Sequence, residues 1–179
     1  MPRIESLEPL FKERGYNNFT WMDPADVVIS QWVRMKCQFG CEDYGRGACC
    51  PPNTPSVTEC QQFFNEYTAG VIFHFEKQVD APEDRHEWGK GINRKLLELE
   101  REVFISGYER AFLIFMDSCS LCGECVNSRA ECRNPEAARP SPESLAVDVF
   151  STVRKFDLPI SVLSDYTQPM NRYAFLLIE

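Results

Sequence analysis

The sequence predicts a mixed α/β fold, or its α+β relative: a small mixed β-sheet with a βαβ crossover, covered by helices and carrying two cysteine-rich loops. Three observations lead there. Apolar residues recur at helical spacing in two stretches, each stopped by a glycine. Short continuous apolar runs of strand length flank the second of these stretches. Nine cysteines fall mainly in two tight groups that interrupt this alternation.

Taken in order, residues 54–68 read as an amphipathic helix. Thr54 precedes Pro55, and Val57, Cys60, Phe63, Phe64 and Tyr67 recur on one face before Gly70 stops the run. Residues 71–75 read as a buried strand. A second helix follows on the stripe Ile92, Leu96, Leu99 and Val103, with Gly107 as its stop and with Arg94 and Glu98 one turn apart on its solvent side. Residues 111–116 are a second strand that leads straight into the second cysteine group. Strand, helix, strand implies a right-handed parallel crossover. Ser141-Pro142-Glu143 opens a third helix to about Lys155, which Pro159 helps to end. Residues 160–163 and 173–178 then pair as a hairpin around the turn region 165–172.

Composition narrows the function classes. The 179 residues are 44% hydrophobic and 26% charged, with 19 basic and 27 acidic side chains and a net charge of −8. A chain of this length builds one core, so residues 1–179 are read as a single cysteine-rich domain without repeat or linker. The acidic total disfavours attraction to nucleic acid or anionic lipid, and neither is expected as a partner. The first residues lack the apolar segment of a secretory leader, and no apolar run reaches membrane-spanning length. A cytoplasmic protein without membrane contact is therefore expected. In a reducing compartment, clustered cysteines bind metal or do redox chemistry more readily than they form structural disulfides.

The strongest signal is Cys119-x2-Cys122-x2-Cys125-x6-Cys132, which follows a strand. Three thiolates at this repeat can wrap one 4Fe-4S cube, as in bacterial ferredoxins, and Gly123 lets the loop approach the inorganic sulfides. The fourth position departs from the ferredoxin spacing, because Cys132 follows six residues after Cys125 and is not followed directly by proline. Zinc is the main rival, although closed zinc sites usually take two short-spaced pairs from separate loops. A dithiol redox pair would leave the third cysteine unexplained.

The other group is Cys37-x3-Cys41 with Cys49-Cys50-Pro51-Pro52. Cys50 is the better ligand, because the following proline holds it extended and removes a backbone donor. Adjacent extended residues face opposite ways, so Cys49 points elsewhere. Cys60 lies on the helix stripe and is assigned to the core. Without Cys60 eight cysteines remain, enough for two fully ligated cubanes; with Cys49 idle as well, seven give one complete cluster and one with an open iron. In a third arrangement Cys132 crosses over to complete the cluster begun by Cys37, Cys41 and Cys50.

His74 and His86 have no motif around them and read as structural or solvated. Arg34, Lys36 and Arg46 near the first group, and Arg129, Arg133 and Arg139 near the second, either offset cluster charge or are ordinary surface charge. Glu42, Asp43, Glu124, Glu131 and Glu136 weaken any basic docking patch. Nucleotide-binding glycine loops, G-x-S-x-G elbows and H-E-x-x-H sequences are missing from the chain.

The chain resembles a family described as cysteine-rich predicted metal-binding proteins, a domain of unknown function found mainly in anaerobic bacteria and archaea. The resemblance rests on Cys37-x3-Cys41-x8-Cys50-Pro51-Pro52, on Leu97-Glu98-Leu99-Glu100 with Gly107-Tyr108, on the Cys119 to Cys132 spacing, and on Arg139-Pro140-Ser141 with Val147-Asp148-Val149. Cys49 is additional to that pattern. The resemblance implies a metal, iron-sulfur in kind, and supplies no established reaction. The expected role is a non-catalytic carrier that passes single electrons between a redox partner protein or reductase and an anaerobic enzyme. The alternatives are a cluster with an open iron acting in sulfur or substrate chemistry or in enzyme maturation, and a zinc-stapled interaction module.

Overall fold

A computed structural model describes residues 4–165 and 167–179. A 3-10 turn (Ile4–Leu7) runs into α1 (Glu8–Glu13), followed by β1 (Phe19–Met22), a 3-10 turn (Pro24–Asp26) and α2 (Gln31–Gly40). After the first cysteine loop come α3 (Val57–Asn65), β2 (Gly70–Lys77), α4 (Pro82–Ile105) and β3 (Phe112–Ile114). The second loop leads to a 3-10 turn (Glu143–Leu145), α5 (Val149–Arg154) and β4 (Met170–Leu177).

The strands form one sheet in the order β1-β2-β4-β3. All three pairings are antiparallel, with Val71 opposite Leu176 in β2/β4 and Leu113 opposite Leu176 in β3/β4. The expected crossover is present in split form: β2 and β3 both run opposite to β4, hence parallel to each other, and α4 joins them across the inserted strand. The sheet is therefore antiparallel throughout rather than mixed. Insertion of β4 also removes the expected hairpin. Both edges of β4 are taken by β2 and β3, so residues 160–163 have no free edge to pair with. They instead line a cleft of about 350 Å³ with Met116, Phe150 and Met170.

Helix ends follow local chemistry. In α3 the cap is Ser56: its hydroxyl accepts from the Glu59 N–H while the Glu59 carboxylate accepts from the Ser56 N–H, a reciprocal box. Gly107 has φ +102°, a left-handed conformation suited to glycine, and it turns the chain just after α4. The single helix expected from Ser141 to Lys155 is divided. Ala146 adopts φ 61°, and the kink lets its carbonyl accept from Ser30 N–H and the Asp148 N–H reach Val28, each at 2.8 Å. Asp148 then caps α5 by accepting from Ser151 N–H at 2.9 Å.

Alternation along the strands gives the sheet two apolar faces. Val71, Phe73 and Leu176 pack with Phe11 of α1 and with Leu96, Leu99 and Val103 of α4. Ile72, Phe175 and Leu177 pack with Cys60 and Phe64 of α3 and Val153 of α5. Each such fully buried side chain contributes about 1.5–3 kcal/mol. Beyond β4, the outer edge of β3 is closed by α4: Glu100 accepts from Leu113 N–H at 2.8 Å, and Asn93 accepts from Met116 N–H at 3.2 Å. Among the described residues no helix is long and apolar enough to cross a membrane.

Candidate metal centre

Two loops meet beside the far end of β3. The first begins in α2, whose last turn carries Cys37 and whose next residue after Gly40 is Cys41. Arg34, one turn before Cys37, donates to the carbonyls of Pro55 and Ser144, each at 3.0 Å, and so ties α2 to the two segments that flank the first thiol group. The loop then folds on itself: Gly45 N–H donates to Pro51 at 2.9 Å, and Cys50 N–H donates to Gly47 at 3.1 Å. A Cβ on Gly47 would lie 3.0 Å from Cys50 Sγ, so the glycine makes room for that sulfur.

Cys37, Cys41 and Cys50 lie close enough for their charges to act on one another. The Glu143 carbonyl is 3.9 Å from Cys37 Sγ, and Ser144, whose hydroxyl is bonded to Ser141 at 2.9 Å, lies near Cys50. Burial pushes the Cys50 thiol up to about 11, and burial likewise raises Cys37. Both thiols would therefore rest protonated without a cation to favour the thiolate. Cys37 and Cys41 also line a cleft of about 280 Å³ with Trp32, Lys36 and Val147.

The second loop follows Met116. Here Cys49, not Cys50, is the visitor from the first loop: its thiol lies beside Cys119, and its neighbours include Arg129 and Cys132. Next to it, Ala48 N–H donates to Cys125 Sγ at 3.3 Å. Asn134 Nδ2 donates to Cys122 Sγ at 3.0 Å. Asn53 fastens the two loops, donating to Gly47 at 3.1 Å and to Asn127 at 3.0 Å. Cys119 is held below the usual thiol range, chiefly by the Cys49 hydrogen bond and further by the backbone N–H groups of Leu121 and Arg139. The same bond, followed by burial, pushes Cys49 up.

Eight of the nine cysteines lie on the two loops or at the end of α2: Cys37, Cys41 and Cys50 are neighbours, and Cys49 is a neighbour of Cys119 and Cys132 on the second loop, which also carries Cys122 and Cys125. Cys60 is the ninth; it is buried in α3 with Sγ 3.7 Å from the Pro55 carbonyl. Its burial agrees with the core assignment. His74 is held by Asn18 and Asn171, each at 2.6 Å, and stacks on Tyr173, while His86 is exposed.

Soft sulfur donors suit iron-sulfur clusters, zinc or copper(I), and Cys122 and Cys125 each receive an N–H donor. In donor chemistry the residues present therefore suit a thiolate-bound metal group. Among the described residues no three His, Cys, Asp or Glu side chains converge closely enough to hold a single ion.

Sequence reading missed the supports of this site. Glu100 is buried on α4 and pairs with Arg139 at 2.9 Å, which steadies the segment whose backbone N–H reaches Cys119. The available signal was an acidic residue beside the apolar stripe of Leu96, Leu99 and Val103, a position that requires a partner. Asn134 and Ser144 carried no such signal, since a polar residue in a polar loop looks ordinary.

Neither a curated protein nor a solved structure gives a match to this chain. A family model does, over residues 20–178, and its description is "Predicted metal-binding protein (DUF2284)". That span contains both cysteine loops and the whole sheet except the first residue of β1, so the chain belongs to this family of predicted metal-binding proteins.

Proposed function

We propose that the protein binds 4Fe-4S clusters and works as a cytoplasmic electron-transfer accessory, exchanging single electrons between a reductase or other redox protein and an anaerobic enzyme. The observation that carries this reading is the C-x2-C-x2-C loop, whose sulfurs at Cys122 and Cys125 receive N–H donors from Asn134 and Ala48. Hydrogen bonds to ligand sulfurs are among the levers that set cluster potential, and bound clusters supply one-electron redox chemistry. Cys119, Cys122 and Cys125 would hold one cluster, with Cys49 and Cys132 as candidates for its fourth position. Cys37, Cys41 and Cys50 would serve a second.

The second group contains three thiols, and this favours a second reading. A cluster held by three cysteines leaves one iron for an outside ligand, and the cleft shared by Cys37, Cys41, Trp32 and Lys36 is large enough for a small molecule. That reading places the protein in substrate or sulfur chemistry, or in enzyme maturation.

The deciding experiment is strictly anaerobic purification followed by iron, sulfide and zinc analysis per chain, with EPR of the reduced protein. The proposal expects a brown protein with about four or eight irons and matching sulfide. Colourless protein with stoichiometric zinc would establish the zinc-stapled module instead. A change in EPR on adding small thiols or carboxylates supports the open iron, and unchanged spectra count against it.

A further inference from the structure

We infer that the adjacent Cys49 and Cys50 serve two different metal centres, Cys50 with Cys37 and Cys41, and Cys49 with Cys119, Cys122 and Cys125, so that a single peptide unit joins the two. The inference rests on the iron-sulfur reading and adds to it a division of ligands.

Independent contacts point the same way. On one side, Cys50 Sγ packs where Gly47 lacks a side chain and lies near Cys37 and Cys41. The 3-10 turn Glu143–Leu145 flanks two of the three members of this group, with the Glu143 carbonyl 3.9 Å from Cys37 Sγ and Ser144 near Cys50. On the other side, Cys49 is 6% exposed and touches Cys119, and the preceding residue's N–H bonds to Cys125. Cys49 stands inside a turn closed by the Cys50 N–H on the Gly47 carbonyl at 3.1 Å, and from that turn Cys49 reaches Cys119 while Cys50 Sγ lies over Gly47 beside the first group. Asn53 holds that loop against the second one from behind. Nothing in the contacts of Cys49 brings it toward Cys37 or Cys41, although it is next to Cys50 in the chain.

The test uses the anaerobically purified full chain and its Cys49→Ser and Cys50→Ser variants, each measured by iron and sulfide per chain and by EPR after reduction. Wild type is expected to hold two clusters with interacting spins. Cys50→Ser is expected to lose about half the iron and the signal of the first cluster, keep the signal of the second, and lose the spin interaction. Cys49→Ser is expected to keep the first signal and to change or lose the second. In each variant the surviving signal reports that the chain has folded. If both substitutions alter the same signal, or Cys49→Ser changes neither spectrum nor iron, the division of ligands is overturned while the iron-sulfur reading stands. A wild type without iron or sulfide defeats both.

Discussion

Replacement of Glu100 tests how the fold holds the second loop. Its carboxylate, 8% exposed, accepts from Leu113 N–H at 2.8 Å and from Arg139 Nε at 3.0 Å, and pairs with Arg139 Nη2 at 2.9 Å. Glu100→Ala leaves the Leu113 N–H buried without an acceptor, a cost of about 1–3 kcal/mol. It also strips Arg139 of its carboxylate; breaking a fully buried pair costs about 3–5 kcal/mol. Arg139 is 20% exposed and keeps the carbonyls of Glu136 and Ala138, so the pair falls below that range. The two losses together come to about 4 kcal/mol. Glu100→Gln retains an acceptor for Leu113 and loses only the charge, about 2 kcal/mol. At a urea m-value of about 2.5 kcal/mol/M these correspond to midpoints lowered by about 1.6 M and 0.8 M. Urea unfolding of the reduced chain, at matched metal content, measures both. Amide exchange at Leu113 should accelerate in the alanine variant and much less in the glutamine variant. Equal midpoints for the two variants, or a shift below about 0.4 M for alanine, would refute the reasoning, because Glu100 would then be neither acceptor nor counter-charge.

Cys60→Ala is expected to lower stability by about 1–2 kcal/mol through a small cavity in the α3 face of the core, with iron per chain unchanged; loss of iron would move Cys60 into the site. Gly47→Ala puts a methyl 3.0 Å from Cys50 Sγ and should displace that sulfur, so the first cluster is lost or altered in EPR while the second persists. Tyr16 and Tyr173 are both pushed up to about 12, chiefly by burial, whereas an unfolded tyrosine titrates near pH 10. The folded pKa is the higher one, so the stabilisation is full below about pH 10 and is lost as pH rises toward 12. Tyrosinate absorbance and far-UV circular dichroism at pH 11 check this: ionisation of both rings in a chain that stays folded contradicts it.

How far the sequence was legible depended on how local the determining contacts were. Helix α4 and the strands β2 and β3 announced themselves through periodicity, short apolar runs and the Gly107 stop, all of which act within a few residues. Helix α3 was also legible, but Ser56 took the capping role because its partner Glu59 stands three residues on. The hairpin failed because β4 chooses partners far away in sequence, Phe73 opposite Ala174 and Ile114 opposite Phe175. The third helix failed because residues 146–148 bond to residues 28–30, contacts that no local pattern encodes. At the site, extended-chain alternation was the wrong ground for separating Cys49 from Cys50, because Cys49 stands in a turn closed by the Cys50 N–H on the Gly47 carbonyl, and it could not name where Cys49 went. Its contact with Cys119 spans seventy positions and became visible only in three dimensions.

The strand that completes the sheet follows both cysteine loops in the chain. Cys132 and Met170 are separated by 38 positions, so at ordinary translation rates all nine thiols emerge about 2–8 s before the first residue of β4. During that interval the nascent polypeptide offers its sulfurs on untethered segments, exposed to cellular oxidants and stray cations. Docking of β4 between β2 and β3 is the step that fixes the sheet from which both loops depart.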